Sequence, residues 1–174
     1  MSSRRVSASL TLRTDSPTAT QRIGAAIGRA VGAGQVIALC GDLGAGKTTL
    51  VQGIAAGLGV TVRVTSPTFV LVNEYVAADG RRLVHIDTYR LAEDATLADA
   101  ATFGLADLLF EAGMDGVNVV AIEWAERVAT LLPADILHIA ITTTEADPDA
   151  RTFQMTATGA QSAAVLAQLA SSDL

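Results

Sequence analysis

The 174-residue sequence has one cysteine, four prolines, one tryptophan, two tyrosines and four phenylalanines. A lone cysteine excludes an intrachain disulfide, and Cys40 ends an apolar run, where a buried thiol in a reducing cytoplasm fits. With so few rings, core volume has to come from Leu, Ile, Val and Ala. Half of the residues are apolar, enough to bury one good core, so a single domain over residues 1–174 is expected. No stretch reaches the roughly 18 consecutive apolar residues of a membrane span. Arg4 and Arg5 precede only the short mixed segment Val6 to Leu12, unlike a secretory signal. Cations are scarce: 12 Lys and Arg face 18 Asp and Glu, for a net charge of -6. Such a chain has little means of displacing counterions from nucleic acid, so RNA is expected to be reached through a partner.

Against these absences stands one dense signal. Gly41-Asp42-Leu43-Gly44-Ala45-Gly46-Lys47-Thr48 fits the phosphate-loop pattern G-x-x-x-x-G-K-[ST]. The apolar run Val36 to Cys40 before it has strand length, and Thr49 to Ala55 after it has helical character, the context this pattern requires. Glycines let successive N–H groups turn toward a phosphate, and the helix N-terminus adds its positive end. Lys47 reaches the β/γ oxygens and the Thr48 hydroxyl ligates Mg²⁺. The candidate nucleotide-binding residues are therefore Gly41, Asp42, Leu43, Gly44, Ala45, Gly46, Lys47, Thr48 and Thr49, with ATP and Mg²⁺ as the implied ligands.

The rest of the chain reads as an α/β fold. Its mixed sheet has a parallel core and antiparallel hairpins, with helices on both faces. Val6 to Arg13 alternates with period two, as a half-covered strand does. Ser16 before Pro17 marks a helix start, and Gly32-Ala33-Gly34 its stop. Thr65 to Phe69 is a hydroxyl-rich loop around Pro67, a plain turn or a segment sensing the γ-phosphate. Asp79-Gly80 predicts a hairpin between Val70 to Ala77 and Leu83 to Tyr89. The second arm would carry His85, Asp87 and Tyr89 on one side. His85 reads as a packing or hydrogen-bonding residue, since no Cys or second His offers metal spacing. Glu93 to Phe110 reads as helical with a break at Gly104. Val117 to Ile122 runs into Glu123, and an acid at the end of a buried strand can hold Mg²⁺ directly or through water. A short helix over Ala125 to Leu132 stops at Pro133. Strands over Ile136 to Thr144 and Arg151 to Ala157 flank a loop from Glu145 to Ala150, a last helix covers Gln161 to Leu169, and residues 171–174 are expected to fray.

Taken together, the phosphate loop with Thr49, Ser66-Pro67-Thr68-Phe69, His85-Ile86-Asp87-Thr88-Tyr89-Arg90-Leu91 and Ile122-Glu123-Trp124 resemble the TsaE family in order and spacing. These are bacterial P-loop ATPases that take part in making threonylcarbamoyladenosine on tRNA. The resemblance implies that Gly44 through Thr49 hold the ATP phosphates and that Thr48 and Glu123 coordinate Mg²⁺. It also implies that Asp87 and Trp124 matter for turnover or for coupling to partners, so that Lys47, Asp87, Glu123 and Trp124 are the candidate catalytic residues. Its implied partner is the TsaB–TsaD pair, reset between cycles by ATP hydrolysis, with tRNA met only indirectly. The chain departs from the family pattern at Thr88, where Leu is more usual, and over Glu145 to Ala150; adenine contacts around Ser16 to Thr20 are weakly patterned. No arginine finger or water-orienting glutamine is evident near these motifs, which predicts slow hydrolysis until a partner completes the site. Asp87 would orient or deprotonate the water, or sit behind the metal. A small-molecule kinase would want an arginine-rich lid, and only Arg127 and Arg151 follow Arg90; a GTP switch would want N/T-K-x-D, which is missing.

Overall fold

The alternating N-terminal segment forms strand β1 (Ala8–Thr14), half-buried on one side and exposed on the other. The computed structural model describes residues 8–67, 71–91, 104, 107, 109 and 118–172. Helix α1 (Pro17–Ala30) starts as its sequence predicts: the Ser16 hydroxyl accepts from the Ala19 N–H at 3.2 Å, with Pro17 in the first turn. Strand β2 (Val36–Cys40) is apolar and almost wholly buried. The phosphate-loop segment then leads into α2 (Lys47–Leu58), which ends at Gly59 with φ 90°, the left-handed stop that glycine adopts without a Cβ penalty.

Strands β3 (Val72–Val76) and β4 (Arg82–Asp87) form the antiparallel hairpin that Asp79-Gly80 predicts. Strand β5 (Asn118–Glu123) is buried throughout. A 3₁₀ stretch (Ala125–Leu131), β6 (Ile136–Thr144), β7 (Asp147–Ala157) and α3 (Ala160–Ala170) follow. The seven strands make one sheet in the order β1-β7-β6-β2-β5-β4-β3. Strand β2 lies between β6 and β5, parallel to both, and β4 is parallel to β5. Antiparallel pairs occupy both edges. The parallel register brings the C-terminal ends of β2, β5 and β4 together, with Leu39 beside Glu123 and Glu123 beside Asp87.

Among the described residues, helices α1, α2 and α3 cover one face, where Ile27, Leu50, Ile54, Leu137, Phe153 and Leu166 close the larger core. On the other face Val36, Ala38, Val84, Ile86, Val120 and Ile122 pack against Val128 of the 3₁₀ stretch and against Leu91 and Leu109. Helices α1 and α2 run parallel at backbone contact. A Cβ added to Gly28 would meet the Ile54 carbonyl oxygen, and one added to Gly57 the Ala25 oxygen, each at 2.1 Å; Gly24 and Gly53 are nearly as tight.

Three element boundaries differ from expectation. Strand β4 ends at Asp87, so Tyr89 leaves the pleat and donates its N–H to Asp87 Oδ1 at 2.9 Å. The expected short helix is present over residues 125–131 as 3₁₀ turns broken at Val128 (φ -126°, ψ 24°). Strand β7 begins at Asp147 instead of Arg151, because Thr144 pairs with Asp147 across a tight turn. Pro148 fits there because β1 pairs no further along β7 than Arg151, leaving its missing N–H without a ladder partner to serve. Finally, α3 runs from Ala160 to Ala170, one residue longer at each end than expected, and the Ser171 and Ser172 hydroxyls both donate to the Gln168 carbonyl. The helix expected over Glu93 to Phe110 lies almost entirely outside the described residues, as do Thr68, Phe69 and residues 173–174.

Candidate functional site

The turn between β2 and α2 is made possible by its glycines. Gly41, Gly44 and Gly46 have φ of 144°, 79° and 103°, values that side chains with a Cβ resist. Gly41 also passes so close to Ile141 that a Cβ would stand 2.5 Å from its carbonyl oxygen. Lys47 opens α2 and its side chain folds back over the loop. Its Nζ donates to the carbonyls of Gly41 at 2.5 Å and Asp42 at 2.9 Å, and lies 3.7 Å from the centre of the Trp124 ring. Only 4% of Lys47 is exposed. Desolvation lowers its pKa from the ordinary value, while Glu123, Glu126, Asp87 and Asp42 act in the opposite direction.

Glu123 ends β5 and is buried among donors. Thr48 Oγ1 donates to its two carboxylate oxygens at 2.8 and 3.1 Å, and His85 Nε2 stands 2.8 Å from Oε1. A carboxylate only accepts, so Nε2 carries the His85 proton; Nδ1, equally buried, has no hydrogen-bond partner among the described residues. The reading of His85 as a hydrogen-bonding residue therefore acquires a specific partner. Asp87 Oδ2 accepts from Ser66 Oγ at 2.9 Å. Trp124 has a left-handed backbone (φ 60°, ψ 38°) and its ring lies 5.0 Å from that of Tyr89.

A cavity of about 300 Å³ gathers these groups. Lys47, Thr48, Asp87, Glu123 and Trp124 all line it, with Leu43, Gly44, Gly46 and Thr49 of the loop and with Ser66 and Tyr89. Gly41, Asp42 and Ala45 shape the loop from behind instead. Asp42 accepts the Ala45 N–H at 3.1 Å, and Ala45 is buried. The donor set suits Mg²⁺. Because the Thr48 hydroxyl proton points at Glu123, its oxygen lone pairs remain available to a cation. Two oxygen ligands are what this ion takes from a protein when phosphate and water complete its shell. Among the described residues no cluster of three or more His, Cys, Asp or Glu could hold a metal by itself.

The two arginines that follow Arg90 in the sequence both lie close to these groups. Arg151 on β7 reaches Gly44 O at 3.5 Å, and Arg127 places its guanidinium 5.6 Å from the Trp124 ring and 5.5 Å from that of Tyr89. Both come from segments after β5 that the fold brings beside the motifs, and both guanidiniums donate to backbone carbonyls. Arg151 also lines a second cavity of about 100 Å³, with Ser16, Pro17, Thr20, Asp149 and, from the loop, Gly44, Gly46 and Thr49.

The family model of threonylcarbamoyl adenosine biosynthesis protein TsaE matches residues 14–153, the span that carries these groups. The chain belongs to the TsaE family. It is 41% identical over 128 residues to the tRNA threonylcarbamoyladenosine biosynthesis protein TsaE of Nostoc sp., covering 71% of this chain and 72% of that one. Against the TsaE protein of Bacillus subtilis it is 37% identical over 148 residues, covering 84% and 85%. The crystal structure of Bacillus subtilis YdiB superposes with a TM-score of 0.73 at 31% identity, covering 96% of this chain and 97% of that one. The TsaE family is one of threonylcarbamoyl adenosine biosynthesis, and the α/β architecture agrees with that of this neighbour. Among the described residues no helix is long and apolar enough to cross a membrane.

Proposed function

We propose that this TsaE-family chain binds and hydrolyses ATP with Mg²⁺ as a cytoplasmic accessory protein of tRNA threonylcarbamoyladenosine modification. It works with the TsaB–TsaD pair and meets tRNA only through it. The observation that carries the reading is the convergence of Lys47, Thr48, Glu123 and Asp87 on one cavity at the N-terminus of α2. That arrangement supplies positioning and charge neutralisation, the main requirements of phosphoryl transfer to water.

In this reading the loop N–H groups and the α2 N-terminus bind the phosphates. Lys47 gives up its carbonyl partners for β/γ oxygens, which are stronger acceptors because they are charged. Thr48 and Glu123 hold Mg²⁺, which when bound neutralises charge on the phosphate oxygens. Asp87 accepts from the Ser66 hydroxyl and from the Tyr89 N–H, bonds that hold its carboxylate at the cavity wall, where it would orient water. The small second cavity, open to Ser16 and Thr20 and sharing Gly44, Gly46 and Thr49 with the first, suits the nucleoside end. Arg127 donates to Leu91 O at 2.6 Å and Arg151 to Pro148 O and Ala150 O. Both guanidiniums are engaged with backbone carbonyls, which supports slow hydrolysis by the chain alone. At the loop tip Leu43 is 79% exposed, an apolar side chain for a partner to cover.

Phosphate release from ATP and from GTP, with and without TsaB–TsaD, tests the proposal. Slow release from ATP, raised by the pair, is the expected result. Release from GTP as fast as from ATP, or transfer to a small acceptor in place of water, would overturn it.

A further inference from the structure

Strands β4 and β5 run parallel and end side by side at Asp87 and Glu123. Just past those ends Thr88 ties the two continuing segments at the backbone. The Thr88 N–H donates to Glu123 O at 3.1 Å. Its hydroxyl lies 3.0 Å from the same carbonyl and 2.7 Å from Trp124 O, so one proton serves two acceptors and favours the nearer. Thr88 is 1% exposed and does not line the cavity. Its neighbour across the tie is under strain: a bulky residue enters the left-handed region only where surrounding groups hold it there. That conformation places the indole over Lys47 Nζ, while Glu123, one residue earlier, meets Thr48 and His85.

We infer that Thr88 is a positioning residue, whose hydroxyl fixes the Glu123–Trp124 elbow and so sets both the carboxylate and the indole that face the cavity. The kinetic consequence rests on the proposed hydrolysis; the positional one does not. Each carbonyl has another donor, Thr88 N–H for Glu123 and the Arg127 N–H at 3.0 Å for Trp124. Removing the hydroxyl therefore loosens the elbow without leaving either carbonyl bare.

Trp124 is the only tryptophan, so fluorescence reads the elbow directly. Thr88→Val keeps the branched shape and lacks the hydroxyl. Its Trp124 emission should move to longer wavelength and acrylamide quenching should rise about twofold, the scale of conformer shift that loss of one buried hydrogen bond brings. Circular dichroism should stay native. Thr88→Ser, which restores the hydroxyl, should return both signals toward native. In TsaB–TsaD-stimulated hydrolysis the Val variant should lose roughly tenfold or more in kcat with a much smaller change in KM, as mispositioning does. Native emission and quenching in Thr88→Val, or an equal disturbance in Thr88→Ser, would overturn the assignment. If Thr88→Val does not fold, Thr88→Ala is read against Thr88→Ser in the same way. A fluorescence change rescued by Ser, in a protein that hydrolyses no ATP, would leave the elbow anchor standing and remove the hydrolysis reading alone.

Discussion

Lys47 makes its polar contacts with two carbonyls of its own loop and an indole face, and in the proposed nucleotide complex phosphate oxygens would take the place of those carbonyls. Lys47→Ala should therefore lower ATP hydrolysis by at least roughly 100-fold and leave the fold intact, because the point charge at the phosphates is gone. Phosphate release by a purified variant with native circular dichroism measures this, and undiminished hydrolysis would rule out the phosphate-loop assignment. Glu123→Ala separates metal from scaffold. It should weaken Mg²⁺ dependence more than nucleotide binding in EDTA, since the carboxylate acts through the ion; equal losses would make Glu123 structural. These residues stood out in the sequence because each lies at an element boundary marked by an apolar run or a glycine motif: Lys47 opens α2 after the glycine turn, Asp87 ends β4 and Glu123 ends β5. Ser66 and Thr88 did not. Their roles rest on a hydroxyl meeting a group across the sheet, and nothing in local spacing records such a meeting.

Helices α1 and α2 carry glycines four apart, Gly24 with Gly28 and Gly53 with Gly57, and the two pairs let the backbones touch. Gly28→Ala puts a Cβ against backbone that cannot rotate away. Overpacking of this kind costs about 1–3 kcal/mol, so the Tm should fall by roughly 4–8 °C for a loss near 2 kcal/mol. Gly32→Ala, with nothing within 4 Å, is the control; thermal melts of equal depression in both would refute the contact argument. At α3 the cap comes from outside the helix. Asp135 accepts from the Gln161 and Ser162 N–H groups and from Ser162 Oγ. Burial acts to raise its pKa, and these bonds outweigh it, so the carboxyl lies below the ordinary carboxylate value. A carboxyl depressed in the folded state contributes its stability above the unfolded pKa and loses it as pH falls through the folded one. Asp135→Asn should cost about 1 kcal/mol near neutral pH, as lost caps do. Its Tm deficit should shrink between about pH 5 and pH 2, and a deficit constant over that range would refute the cap's ionic part. The start of α1 was plain from Ser16-Pro17, whereas a cap supplied by Asp135 to residues 161 and 162 leaves no local pattern.

For the whole molecule, the proposed assembly is the point at issue. We expect slow hydrolysis by the isolated chain, at least roughly tenfold stimulation by TsaB–TsaD, and weaker binding to that pair with ADP than with ATP. Linkage then requires the pair to tighten ATP by the same factor. Asp87→Ala and Trp124→Ala should lower the stimulated rate more than ATP affinity. Titrations giving equal partner affinity in both nucleotides, with no stimulation, would end the case for a nucleotide-driven accessory factor. The parallel centre of the sheet could be anticipated from βα alternation, but its outer order could not. Strand β1 finds its partner in β7, almost the full described length away, and period two says only that a strand has a covered face. That pairing also bears on synthesis. During translation β1 emerges long before β7 exists, and until then both it and β6 present unsatisfied edges. The nascent chain is therefore most exposed to wrong edge-to-edge pairing in the interval before Asp147 to Ala157 leaves the ribosome.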